Sequence, residues 1–263
     1  MSDAVSRVVV SLIGVPIVLG VVYLGGWWVF GLAAVAAGIA LHEYWLLARP
    51  LAPLAPAGYI GAALALVGAE LGGIGWMIGG VLATFLFAFA LKAISEARQA
   101  ATIAISGTVM GAMWVGGGLA FVILLRDLPA DGRLAAFSVL LAVWAGDTVA
   151  YAAGRLVGRH KMAPRTSPGK TWEGFVFGAA ATIFVAFVAL YKQDFLTIGQ
   201  SVAVGVVVAV TAPAGDLFES LLKRDMEVKD TGTLLGGHGG MLDRIDALLF
   251  AAPAVYFTIL AFS

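Results

Sequence analysis

The sequence predicts an all-α, polytopic integral membrane protein, and three observations carry that expectation. The 263 residues are 61% hydrophobic and 12% charged, where soluble domains run about 45–50% and about 25%. Apolar runs long enough to cross a bilayer recur along the chain. The remaining polarity is gathered mainly into two stretches, 147–174 and 220–246. The formal net charge is +0, so composition points to no nucleic acid or other charged partner. With Cys 0, disulfides, thiolate catalysis and cysteine metal sites are excluded.

A membrane helix needs about 17–25 mostly apolar residues. Nine runs meet this reading: 8–25, 27–48, 55–70, 74–94, 104–125, 135–156, 172–191, 199–222 and 243–262. Arg7 precedes an apolar run long enough to span, and no small-x-small cleavage site follows before Trp27 and Trp28. The first run is therefore expected to be a retained helix rather than a cleaved signal, and the tryptophans suit an interfacial belt. The third run is short, with Pro53 and Pro56 at or near its start. Glycine is frequent (34) and scattered through the spans, where small residues let helices approach closely.

Orientation follows from the bias of Lys and Arg toward the cytoplasmic side. With the N-terminus inside, the inner set is Arg7, Arg49, Lys92, Arg98, Arg155, Arg159, Lys161, Arg165, Lys170, Lys223, Arg224, Lys229 and Arg244, against Arg126, Arg133 and Lys192 outside. This places the loops 157–171 and 223–242 at the cytoplasmic face. The expected organisation is one integrated membrane domain. Residues 1–134 supply scaffold helices with the lipid or dimer surface, and 135–263 carry the two polar loops.

Ionisable groups within a span are costly and mark function by default. His42, Glu43, Asp147, Asp216 and Glu219 qualify. Asp216 shares a helical face with Glu219 and Ser220, and Asp243 with Asp246. From the helical rise, Asp216 lies about 10 Å below Lys223 and Asp147 about 12 Å below Arg155. Acidic pairs at the ends of adjacent spans can converge on a divalent cation, since Mg2+ prefers carboxylate oxygen and keeps waters or binds substrate phosphates. They can equally pair with Arg244, Lys223 and Lys229. Glu43 reads as a structural or supporting residue.

The basic residues from Arg155 to Lys170, followed by Thr171, can neutralise a polyphosphate, although plain positive-inside charge produces basic loops as well. Gly169-Lys170-Thr171 is not a P-loop, because position 164 is Pro where that motif needs Gly. Gly236-Gly-His-Gly-Gly240 permits positive φ and close approach to a ligand, and successive N–H groups in such turns form anion nests. His238 can bind phosphate, act as a base or bond the loop.

At these residues the sequence resembles the phosphatidate cytidylyltransferase (CDP-diacylglycerol synthase) family. The matching signature is Ser220, Lys223-Arg224, Lys229-Asp230, Gly232, Gly236, His238-Gly239-Gly240, Asp243-Arg244 and Asp246. Asp147-Thr148, Tyr151, Gly154-Arg155, Ser167-Pro168, Lys170-Thr171, Glu173-Gly174 and Glu43-Tyr44 resemble it too. The resemblance implies conversion of CTP and phosphatidic acid to CDP-diacylglycerol and pyrophosphate. It further implies Mg2+ with a neighbouring monovalent cation such as K+, and a homodimer. A compact nine-span core without a targeting extension is expected in a bacterial inner membrane, and the charge bias puts the site on the cytoplasmic side. The resemblance assigns Asp216 and Asp243 as principal metal ligands, with Ser220 and Asp246 beside them, and Lys223, Arg224, Lys229 and His238 on substrate phosphates. Asp147, Tyr151, Arg155, Ser167, Lys170, Thr171, Glu173, Asp230, Gly239, Gly240 and Arg244 complete the expected substrate-binding set.

The chemistry is consistent with the residue inventory. The attacking phosphomonoester has a second pKa of about 6, so it is ionised without a strong base, and the site must chiefly align and neutralise two anions. The nearest enzyme alternative is a CTP-dependent kinase of a polyprenol, phytol or dolichol. A different class is a cation-coupled transporter using Asp147 and Asp216 as ion ligands.

Overall fold

The computed structural model describes residues 3–95, 100–129, 131–190, 196–228, 231–232 and 239–262, with side chains from residue 12 onward. The chain runs α1 (Asp3–Leu24), α2 (Trp27–Leu47), a 3-10 turn (Arg49–Leu51), α3 (Ala55–Ile94) and α4 (Ala101–Gly111). A π-helical segment (Ala112–Gly117) leads from α4 into α5 (Gly118–Arg126), and α6 (Gly132–Leu156) follows. The strands β1 (Lys161–Ala163) and β2 (Ser167–Thr171) then precede α7 (Trp172–Leu190), α8 (Ile198–Asp225) and α9 (Leu242–Leu260). Among the described residues, the architecture is all-α apart from one antiparallel hairpin.

Among the described residues, 6 helical stretches are long and apolar enough to cross a membrane: α2, α3, the α4–α5 run Ala101–Arg126, α6, α7 and α8. The sequence reading of nine spans differs for three reasons. In α1 the part whose side chains are described, Leu12–Leu24, is apolar but shorter than a span. The beginning of α9 carries Asp243, Arg244 and Asp246. The third reason is α3, whose 40 residues are interrupted at Gly73 (φ 68°, ψ −159°), a backbone region essentially closed to residues with a Cβ.

The two limbs of α3 fold back on one another. A Cβ on Gly61 would run into Thr84, one on Gly68 into the backbone of Trp76 and Met77, and one on Gly80 into the backbone of Leu64 and Ala65. The limbs therefore pack antiparallel, with glycines where the backbones are closest. The large apolar side chains point outward: Leu71, Trp76, Leu82, Leu86 and Phe89 are exposed, while Ala57, Ala62, Ala65 and Ala88 are buried. Small residues inside and large ones outside is the pattern expected where the surrounding solvent is lipid.

The chain divides into two compact units, Met1–Leu124 with Asp225–Ile245, and Leu125–Arg224 with Asp246–Ser263. In the first, Tyr44 on α2 is buried, donates its hydroxyl to Gly107 O of α4 at 2.9 Å, and stacks edge-on against Trp45 and Trp114. Gly111 and Gly58 leave room for the Tyr44 and Trp45 rings. In the second, α6 and α7 lie antiparallel along matched stripes: Gly146 faces Thr182, Ala150 faces Gly178, and Gly154 faces Gly174. The four-residue spacing keeps each stripe on one helix face.

Candidate active site

In the second unit, β1 pairs with β2 in the register Lys161 to Thr171 and Ala163 to Ser167. Thr171 is the N-cap of α7, its Oγ1 accepting from Gly174 N at 3.1 Å. The Glu173 carboxylate accepts from Arg159 N (3.1 Å) and His160 N (3.2 Å), and lies 2.6 Å from His160 Nδ1. Trp172 N donates to His160 O at 2.9 Å. Thr171 and Glu173, expected to bind substrate, thus have local partners that close the hairpin onto α7.

The hairpin reaches α8 through two cationic side chains. Lys170 Nζ lies 2.5 Å from Asp216 Oδ2, and Arg224 Nε donates to Thr166 O at 3.0 Å. On α8 itself, Ser220 Oγ donates to Asp216 Oδ1 at 3.4 Å, and Lys223 Nζ is 3.4 Å from Glu219 Oε1. Asp246, buried near the start of α9, accepts from Ala247 N at 2.8 Å. Its side chain also hydrogen-bonds Glu219, within electrostatic reach of Asp216 and Asp147. Gly215 permits this arrangement, since a Cβ there would collide with the Asp246 carbonyl.

One face of α6 is exposed and carries Asp147, Tyr151 and Arg155 at helical spacing, with Arg155 Nη1 donating to Tyr151 Oη at 3.0 Å. Ser167 is half-buried in β2. The structure thus brings together Lys170, Asp216, Ser220 and Arg224, and joins Asp246 to Glu219. Glu219 was legible as an intramembrane acid, but not as a partner of Asp246.

Asp243 belongs to the first unit. Its Oδ2 accepts from Gly240 N (2.7 Å), Thr231 Oγ1 (3.1 Å) and Thr231 N (3.3 Å). Glu43 of α2 accepts from Met241 N at 2.9 Å and Leu242 N at 2.8 Å, capping the start of α9. Gly239 has φ 77°, and a Cβ there would press on Asp243 Oδ2. Of the glycines expected to admit a ligand, Gly239 and Gly240 make room for the carboxylates of Asp243 and Glu43. Arg244 is exposed. Lys229, Asp230, Gly236 and His238 lie outside the described residues.

Among the described residues, no group of three or more His, Cys, Asp or Glu is gathered as a metal cage. Mg2+ does not need one. It is commonly held by one or two carboxylates completed by waters and substrate phosphates. The hard oxygens of Asp216, Ser220 and Asp246, all within the second unit, match that chemistry. Lys170 already neutralises one Asp216 oxygen, so an incoming cation competes with an ammonium group.

The sequence model of the cytidylyltransferase family matches residues 5–262. A phosphatidate cytidylyltransferase of Staphylococcus haemolyticus is 40% identical over 146 residues, covering 55% of this chain and 55% of that protein. One from Haemophilus influenzae is 39% identical over 130 residues, covering 48% of this chain and 45% of that protein. One from Bacillus subtilis is 36% identical over 155 residues, covering 59% and 58%. The chain spans about half the length of these curated relatives. With the family match extending over residues 5–262, the chain belongs to the cytidylyltransferase family.

Proposed function

We propose that this protein is a phosphatidate cytidylyltransferase, joining CTP and phosphatidic acid into CDP-diacylglycerol with release of pyrophosphate. The observation that carries the reading is the juxtaposition of Lys170, Asp216, Ser220 and Arg224 where the basic hairpin meets α8. Cations from the hairpin and from α8 flank a carboxylate and a hydroxyl, as a site joining two phosphate-bearing substrates requires. The relatives' printed names agree in substrate.

Asp216, Ser220 and Asp246 would hold Mg2+. When bound, the ion neutralises phosphate oxygens and supports in-line displacement at phosphorus. Asp243 stays part of the proposal as a ligand through the signature alone, and its Oδ2 already accepts from three donors. The work of the chain's own groups is charge and alignment. Lys170, Lys223 and Arg224 neutralise phosphate oxygens, with arginine matching them bidentately. Arg155 and Tyr151, already bonded to each other, supply a second cationic group on α6. The phosphatidate oxygen forms the new bond to the α-phosphorus of CTP, the bond to the β-phosphate oxygen breaks, and pyrophosphate leaves with that electron pair. Lys229, Asp230, His238 and K+ remain part of the proposal through the signature alone.

The same reading takes nine spans, counting the two limbs of α3 separately and adding α1 and α9. The N-terminus and both polar loops face the cytoplasm of a bacterial inner membrane, and the protein is a homodimer. The antiparallel packing of the α3 limbs supports the count.

The test is an assay in detergent micelles with phosphatidate, labelled CTP and Mg2+, following lipid product and pyrophosphate together. Cytidine label in the lipid with equimolar pyrophosphate is the expected result. Release of CDP without labelled lipid phosphodiester would turn the reading to a CTP-dependent lipid kinase. Cation flux without CTP turnover would turn it to a transporter.

A further inference from the structure

We propose that Glu43 is the positioning residue of the glycine-rich signature segment, setting the backbone that enters α9 and so the aim of Asp243. The inference rests on the cytidylyltransferase reading for its kinetic consequence, but not for its structural one.

Glu43 is 4% exposed and sits on α2, next to the buried Tyr44 whose hydroxyl bonds Gly107 O at 2.9 Å. Its two oxygens divide between two successive amides: Oε1 accepts from Met241 N and Oε2 from Leu242 N. These N–H groups belong to the turn that opens α9, where the helix lacks internal acceptors and a negative charge is favoured. Such caps normally come from a residue adjacent in sequence. Here the cap comes from 198 residues away.

Three glycines of the signature take their meaning from these carboxylates. A Cβ on Gly232 would lie 2.6 Å from Glu43 Oε1, and one on Gly240 would lie 2.5 Å from Glu43 Oε2 and 2.5 Å from Thr231 Oγ1. A Cβ on Gly239 would lie 2.6 Å from Asp243 Oδ2. The backbone is thus wrapped around two acids, with Gly240 N donating to Asp243 while its neighbour Met241 N donates to Glu43. Ordered this way, the amides fix where the Asp243 carboxylate points. A ligand displaced by about 1 Å can cost about 10²-fold in rate, so a residue acting only through Asp243 carries an effect of that order.

The experiment uses the full-length protein in detergent, as wild type and as Glu43→Gln, Glu43→Asp and Thr182→Val, the last a packing control on α7. Glutamine keeps the shape but turns an N–H donor toward an amide donor. Amide hydrogen exchange is read at Met241 and Leu242, with Tm, kcat and KM for CTP alongside. In Glu43→Gln, exchange at those two amides is expected to rise about tenfold or more. Tm should stay within a few degrees, and kcat should fall by about 10²-fold with KM little changed. Glu43→Asp should restore part of both exchange protection and kcat. Unchanged protection at Met241 and Leu242 overturns the proposal. So does a loss of kcat that merely follows a global loss of Tm, as the Thr182→Val control would give. A wild type that makes no CDP-diacylglycerol sinks the functional reading instead, and the exchange comparison still decides the role of Glu43.

Discussion

Between residues 157 and 174 the polar backbone finds its partners close by. β1 pairs with β2, Thr171 caps α7 three residues on, and Glu173 takes the amides of Arg159 and His160 no more than 14 residues away. Between residues 231 and 242 the described amides turn instead to carboxylates, Asp243 on one side and Glu43, 198 and 199 residues distant, on the other. The first segment is organised by its own sequence and can form wherever α6 and α7 are in place. The second is organised only when α2 has reached its packed position. Glycine shows the same contrast. In α6 and α7 it lets helix approach helix, and at Gly232, Gly239 and Gly240 it lets backbone approach a charged side chain. The lesson is that two polar segments of similar composition can differ in what holds them, and should fail in different ways when mutated.

The largest expected effect is on the one ion pair that ties the hairpin to α8. Asp216→Asn removes a carboxylate oxygen from the proposed cation site and the partner of Lys170. The rate of labelled-lipid formation is expected to fall by at least about 10²-fold. Hairpin amide protection should persist because its bonds are local. Loss of that protection along with activity would show that the hairpin depends on α8 after all.

A smaller effect is expected at the helix interface beneath the hairpin. Gly178→Leu forces a side chain against Ala150 and the Gly146 carbonyl, and overpacking of this kind costs about 1–3 kcal/mol. Unfolding by SDS titration should show the loss, with α6 and α7 separating first by exchange. An unchanged midpoint would mean that the stripe is less closely packed than its spacing indicates.

Next comes the cap itself. Thr171→Val removes the acceptor for Gly174 N, and such losses run about 1 kcal/mol. Faster exchange is expected at Gly174 and through the hairpin, with Met241 and Leu242 unaffected and Thr171→Ser restoring the wild-type pattern. A raised KM for CTP without a stability change would instead favour direct substrate contact by Thr171.

The smallest effect is expected of Arg224→Gln on the fold. Its bond to Thr166 O is exposed, and surface changes of that kind stay within about 0.5 kcal/mol. Stability should be unchanged while KM for CTP rises, separating a phosphate ligand from a hairpin tether.

Much of this molecule was legible in its chain. Runs of apolar residues announce helices because a bilayer leaves no other way to satisfy the backbone. The break between the third and fourth expected spans, residues 70 and 74, coincides with Gly73. Acids inside such runs drew attention to Asp216, Glu219 and Glu43 because burial of charge is costly. What was not legible was pairing. Lys170 with Asp216 and Arg224 with Thr166 join segments whose separation carries no periodic signal. Thr171 and Glu173 belong to the expected substrate-binding set, and the sequence does not show that each also has a partner in the hairpin or at the start of α7.

Composition and periodicity alone therefore determine that this is a helical membrane protein with its polarity gathered mainly into two stretches. Both are sums over neighbouring residues, and a lipid solvent acts on them directly. Only in the folded chain do the individual acids acquire separate tasks. Asp216 meets an ammonium, Asp246 lies buried against Glu219, Asp243 gathers the amide and hydroxyl of Thr231, and Glu43 caps a helix from another part of the chain. A carboxylate takes its role from the donors within about 3 Å of it, and which donors those are is settled by packing rather than by order along the chain.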